Sequence, residues 1–142
     1  MEVLIKYHNP ELKKIEKISL GDWIDLRSSE HAELKAGGFY YISLGVSMKL
    51  PEDYEAHIAP RSSSFQKWGF LQVNGVGVVD NSYSGTNDIW KLPVYATRDA
   101  VIEVNDRVCQ FRIMKRMPAI SFTEVESLDE NDRGGFGSTG VR

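Results

Sequence analysis

The sequence predicts an all-β domain, a sandwich or barrel, with one short helix and a flexible C-terminal arm. Three observations carry that prediction. Apolar residues recur mostly with a period of two, aromatic and β-branched residues gather in those runs, and Gly, Asn, Asp or Pro punctuates most of the gaps. Several short strands at such spacing favour a sandwich or barrel over βαβ units.

The elements follow in order. Residues 3–7 alternate weakly and read as a first strand. Residues 39–50 (FYYISLGVSMKL) are rich in strand formers, and Pro51 ends the run. Residues 54–59 alternate and run into Pro60. Residues 89–96, 100–104, 107–114 and 120–125 have the same character. Residues 10–18 (PELKKIEKI) place Leu12, Ile15 and Ile18 three apart, which suits a short helix or a charged loop equally. Residues 62–68 (SSSFQKW) read as one short helix, with serines offered as N-caps and Gly69 as its stop. From Ser127 the composition shifts to acids and then glycines, too little apolar surface to order itself. The domain is therefore expected at residues 1–126 and the arm at 127–142.

Length and charge narrow the function classes. A chain of 142 residues fits one domain. With 17 Lys+Arg against 20 Asp+Glu, the net charge of −3 argues against a nucleic-acid coat, which normally carries a basic excess. It leaves room for a small anionic ligand, which needs only a few local cations. A single cysteine, Cys109, rules out an internal disulfide framework and a Cys-rich zinc site. No apolar run approaches a membrane span, and the charged N-terminus does not read as a signal peptide, so a cytoplasmic protein without a membrane partner is expected.

Five segments hold candidate chemistry. Arg133-Gly-Gly-Phe-Gly-Ser-Thr-Gly140 joins a cation, glycines that let backbone N–H groups approach phosphate, and two hydroxyls. Pro60-Arg61-Ser62-Ser63 precedes the short helix, whose N-terminal N–H groups favour anions. Asn74-Gly75 is a hairpin signal. Asp80 follows Val78-Val79 at the end of an expected strand, where a carboxylate serves as a general base or as a turn cap. Tyr83 follows three residues later. Strict alternation from Arg107 puts Val108, Gln110 and Arg112 on one face and Arg107, Cys109 and Phe111 on the other. Cys109 reads as a small buried hydrophobe. Asp25 lies between apolar neighbours in Trp23-Ile24-Asp25-Leu26-Arg27.

Singly these segments are weak signals, but their order and spacing resemble the homotrimeric dUTP pyrophosphatases, the dUTPases. The resemblance runs through Trp23 to Arg27, Pro60 to Ser63, Asn74 to Gly85, Asp106 to Gln110 and Arg133 to Gly140, and so covers essentially the whole chain. The Gly21-Asp22-Trp23-Ile24-Asp25 opening looks most like the branch found in Bacillus-type bacteria and their phages. The family pattern differs at Trp23-Ile24, at Ser63 in place of Gly, at Thr86 in place of Glu and at Cys109 in place of Ala.

The resemblance implies a distorted jelly roll and hydrolysis of dUTP to dUMP and pyrophosphate with Mg²⁺. On it, Asp80 activates the water and Tyr83 packs under the deoxyribose. Asn74 reads uracil, and Arg61, Ser62, Ser63 and Gln110 hold the triphosphate. Asp25 helps place Mg²⁺ through its waters. The arm closes from a neighbouring subunit of a homotrimer, bringing Arg133, Gly137, Ser138 and Thr139 to the phosphates and Phe136 over the base. Two other classes stay in view. A dCTP deaminase relative shares the fold and an Arg-Ser-Ser run, yet no Glu stands between Glu55 and Glu103 to act as its acid/base. A jelly-roll nucleotide-binding regulatory protein needs no catalysis, which leaves Asp80, Gln110 and Arg133 together without a purpose. A regulatory partner in addition to catalysis is compatible with either.

Overall fold

The computed structural model describes residues 1–135 and Gly137. Among the described residues, eleven strands and one helix follow in the order β1 Leu4–Tyr7, β2 Ile24–Arg27, β3 Ala32–Leu34, β4 Phe39–Ser43, β5 Val46–Lys49, β6 Tyr54–Pro60, α1 Ser64–Trp68, β7 Phe70–Gln72, β8 Gly77–Val79, β9 Lys91–Ala96, β10 Ala100–Ile102 and β11 Arg107–Lys115. Every ladder among the described residues is antiparallel. The strands form sheets in the orders β1-β5, β10-β3, β2-β11-β6-β8 and β4-β9-β7. No helix among the described residues is long and apolar enough to cross a membrane.

Burial follows the alternation. Leu92, Val94 and Ala96 of β9 point inward, as do Ala56 and Ile58 of β6. Trp90 anchors the core, with its ring edge-on to Phe111 at 5.4 Å between centroids. Trp68 stacks on Phe70 at 6.0 Å and ties α1 to β7. Aromatic pairs in these geometries add to plain area burial.

Several expectations change. The run at 39–50 is two strands, because Gly45 takes a left-handed φ of 66° and a Cβ there would collide with Ser29. Its N–H and C=O serve the break: His8 N–H donates to Gly45 O at 2.8 Å. Residues 10–18 take the charged-loop reading rather than the helix, with Asn9 and Asn105 side chains capping their backbone. Residues 120–125 alternate yet form no strand, since no strand among the described residues pairs with them and Phe122 is 92% exposed. Asn74-Gly75 is not the tip of a two-stranded ladder, because β7 pairs with β9 and β8 with β6. α1 ends as expected at Gly69, with φ 69° and its N–H on Phe65 O at 2.7 Å. Its N-cap, Ser63, makes no side-chain capping bond. The buried Ser64 hydroxyl accepts from Arg61 N–H and donates to Val108 O, both at 3.0 Å, and so fixes α1 to β11.

Candidate active site

The four-stranded sheet places most of the candidate residues. β11 lies between β2 and β6, and Gln110 faces Asp25 on one side and Ala59 on the other. A bulge between Arg107 and Cys109 inserts Val108 into β11. A bulge flips the side chains that precede it relative to those that follow. Arg107 therefore joins the Gln110 face, contrary to strict alternation, and Val108 and Cys109 are both buried.

The consequence is a charged cluster. Asp25 Oδ1 lies 3.0 Å from Arg61 Nε, and Asp25 Oδ2 lies 3.3 Å from Arg107 Nη1. The Arg61 guanidinium also donates to Arg107 O at 3.4 Å. Gln110 Nε2 donates to Pro60 O at 3.1 Å, which holds its amide beside Arg61. The Ser62 and Ser63 hydroxyls enter no hydrogen bond among the described residues and remain open to a ligand. With only five residues, α1 sums few peptide dipoles, so the anion-favouring helix end expected from sequence reduces to local N–H groups.

The other candidates sit elsewhere. β8 ends at Val79, and Asp80 follows it as an exposed residue. Asp80 Oδ1 accepts from the Ser82 hydroxyl at 2.7 Å and from Ser82 N–H at 2.8 Å. These donors hold the Asp80 carboxyl below the usual carboxylate range, the hydroxyl first and the backbone second. Asn81 clamps the loop, donating to Pro51 O and Tyr54 O at 2.8 Å each. Tyr83 N–H closes a turn on Asp80 O, and its hydroxyl donates to Ile89 O, both at 3.0 Å. Asp88 Oδ2 accepts from Gly85 N–H at 2.8 Å, so Asp88 caps this loop. Asn74 is exposed in the segment between β7 and β8, and Gln72 Nε2 bridges Asn74 O and Ile58 O at 3.0 Å each.

Within one chain these two groups stand apart. Asn81 touches Tyr54 at the start of β6, while Arg61 follows its end. At about 3.3 Å per residue the ends are on the order of 20 Å apart. Asp80 and Arg61 of the same chain are too far apart to touch one phosphorus atom.

In the arm, Arg133 is exposed and bonds only to Gly134 O, at 3.4 Å, among the described residues. Gly137 is described, with φ 85°. Phe136, Ser138 and Thr139 lie outside the described residues. Cys109 is fully buried, and burial pushes its thiol far up, which makes it a core residue with no nucleophilic role. Sequence reasoning missed Arg107 as a site residue, together with Ser82, Asn81 and Gln72. Only the Asn81-Ser82 polar pair after Asp80 carried a local signal, that of a turn-capping segment.

The sheets match solved jelly rolls. A variant of the dUTPase of Staphylococcus bacteriophage 80alpha, solved with dUpNHpp, superposes with a TM-score of 0.80 at 18% identity, over 99% of both chains. A variant of the dUTPase of phage phi11 of S. aureus, described as coordinating a structural Mg(II) ion, gives 0.77 at 14% identity, over 92% of this chain and all of that one. The fold is thus the jelly roll of these nucleotide-hydrolysing phage proteins. The dUTPase family model matches residues 23–140. The SPbeta prophage-derived deoxyuridine 5'-triphosphate nucleotidohydrolase of Bacillus subtilis (strain 168) is 51% identical over the full length of both chains. A deoxyuridine 5'-triphosphate nucleotidohydrolase of Finegoldia magna is 37% identical over 99% of this chain and 98% of that one. The chain belongs to the dUTPase family.

Proposed function

We propose that this protein hydrolyses dUTP to dUMP and pyrophosphate, at sites shared between the chains of a homotrimer. The full-length 51% identity to a prophage dUTPase carries this reading, because it spans every candidate residue. The separation of Asp80 from Arg61 along β6 supports the sharing: a complete site takes Asp80 from one chain and Arg61 from another. Residues 1–126 form the domain and 127–142 the arm that closes over a neighbouring site.

Each role rests on local chemistry. Asp80 stays ionised to low pH, and Ser82 occupies only Oδ1, leaving Oδ2 to orient and accept a proton from the attacking water. A positioned base of this kind contributes typically 10²–10⁴-fold. The water's oxygen bonds the α-phosphorus as the bond to the bridging oxygen breaks, and pyrophosphate leaves. Arg61, Gln110 and the Ser62 and Ser63 hydroxyls bind the phosphates, with Arg61 already oriented by Asp25. Asn74 and its neighbouring backbone read the uracil edge, and Tyr83 packs beneath the deoxyribose. From the arm, Arg133, Gly137, Ser138 and Thr139 meet the phosphates, and Phe136 covers the base. Closure excludes water and strengthens the charge interactions inside.

The residues present fit Mg²⁺ as a cofactor. Mg²⁺ keeps several waters and takes one or two carboxylates plus substrate phosphates. Asp25 meets one guanidinium on each oxygen, and a carboxylate has about four acceptor sites, so capacity remains for a metal-bound water. When bound, Mg²⁺ neutralises charge on the phosphates. In the cell the reaction limits uracil in DNA and supplies dUMP for thymidylate synthesis, in the cytoplasm.

The test is pyrophosphate release from dUTP with Mg²⁺, compared with dCTP, dTTP and UTP. Release confined to dUTP supports the reading. Equal rates on all four would remove the specificity argument, and no release from any would leave a nucleotide-binding protein.

A further inference from the structure

A cleft of about 490 Å³ opens beside Asp25 and Arg107, and neither Ser62 nor Ser63 lines it. Its charged lining is Lys13, Lys14, Arg27 and Arg107 against Glu16 and Asp25. Asp25 is already paired with Arg61 and Arg107. Lys13 and Lys14 are exposed and pair with no carboxylate among the described residues. Lys14 lies 4.1 Å over the Tyr7 ring, and Lys13 N–H is held by Asn105 Oδ1 at 2.8 Å, so this loop is fixed with its cations presented to solvent.

The opposite charge lies in the arm. Residues 124–132 carry Glu124, Glu126, Asp129, Glu130 and Asp132 and no Lys or Arg. All of these residues are exposed. The segment's hydrogen bonds among the described residues are local, between Ser127 and Asp129. It leaves its own chain where the linker of residues 116–123 spans the distance to its own cleft only when nearly fully extended. Arg107 starts β11 at the cleft, whereas Lys115 ends it opposite Tyr54, on the order of 25 Å away.

We propose that residues 124–132 of a second copy of this chain dock along this cleft, acids against Lys13, Lys14 and Arg27, and so deliver Arg133 to the Arg61–Asp25–Arg107 cluster. The proposal rests on the reading that the arm closes across chains, and names the surface that receives it. Docking the acidic segment raises the effective concentration of the Arg133 end at that site without touching the nucleotide. It also sets which site the arm serves, since opposite potentials steer encounter and like potentials suppress it.

The experiment uses the full chain with Ile18→Cys, in the cleft wall, and Asn131→Cys, in the segment. A short bis-maleimide is added without nucleotide, and the products are sized under denaturing conditions. The buried Cys109 does not compete. Covalent dimers and trimers are expected. Adding Lys13→Glu and Lys14→Glu lowers their yield about fivefold at low salt, the scale of a few exposed ion pairs. Further Glu130→Lys and Asp132→Lys changes restore it. Links confined to single chains, or a yield indifferent to both reversals, overturn the proposal. So does competition by inorganic triphosphate with no response to the acid reversal, which assigns the cleft to phosphate. Because linking needs no turnover, absent pyrophosphate release with linking intact counts only against the hydrolysis, and the converse counts only against the docking.

Discussion

Ser82 gives Asp80 two hydrogen bonds, and both go to the same oxygen, at 2.7 Å from the hydroxyl and 2.8 Å from the backbone N–H. A carboxylate held this way keeps its charge to lower pH than a free one, and its second oxygen stays available. Asp80→Asn is expected to cut kcat by about 10²–10⁴ while leaving nucleotide affinity within a few fold. Pyrophosphate release and calorimetric binding of a non-hydrolysable dUTP analogue measure the two separately.

Ser82→Ala removes the largest of the three causes that lower the Asp80 carboxyl, the others being the Ser82 backbone N–H and the Arg116 charge. The sign follows directly. The folded carboxyl titrates below its ordinary value, so activity that needs the ionised form persists as pH falls and is lost only below that value. In Ser82→Ala the acid limb of kcat/KM moves to higher pH, and at neutral pH kcat changes little. A pH profile of kcat/KM for both proteins is the check.

Asp25→Asn breaks both ion pairs at once and releases Arg61 and Arg107 from their fixed positions. The phosphate site then has to be ordered by the substrate itself. KM for dUTP is expected to rise about tenfold, with a steeper Mg²⁺ requirement, measured by steady-state kinetics across Mg²⁺ concentrations.

Gln72→Leu removes the amide that ties Asn74 O to Ile58 O. The proposed uracil reading needs that backbone in place before substrate arrives. The ratio of kcat/KM for dUTP over dCTP is expected to fall by about tenfold, while thermal stability changes little, because Gln72 Oε1 is buried without a partner among the described residues and its removal offsets the lost bonds.

Phe111→Ala opens the core where Phe111 meets the Trp90 edge. A loss of about 3–5 kcal/mol is expected in urea unfolding. Trp90 is 1% exposed, so its fluorescence reports the same transition.

Much of this was legible in the residues, for physical reasons that differ by element. Strands β6, β9 and β11 are long enough to show three or four periods, and their alternation predicts them. Strands β3, β7 and β8 have three residues each, too few to display a period, and they exist because a neighbour pairs with them. Residues 120–125 show the converse: alternation without a partner makes no strand. The candidate site divided along the same line. Arg61, Asp80 and Gln110 stand in local patterns. Arg107 did not, because a one-residue bulge decides its face and a bulge leaves no trace in alternation. Ser64, rather than Ser63, carries the load at α1, since its partner Val108 is remote in sequence.

Strand β6 has a consequence for genetics. It keeps Arg61 and Asp80 at its two ends, so a lesion at one end leaves the other chemically intact. Arg61→Ala chains and Asp80→Asn chains are each expected to be nearly inactive alone. If sites are shared as proposed, mixing the two in one assembly brings the Asp80 of the first to the Arg61 of the second, and some sites are whole again. Two null alleles of one gene would then complement each other, and either would poison a fraction of the wild-type sites when co-expressed.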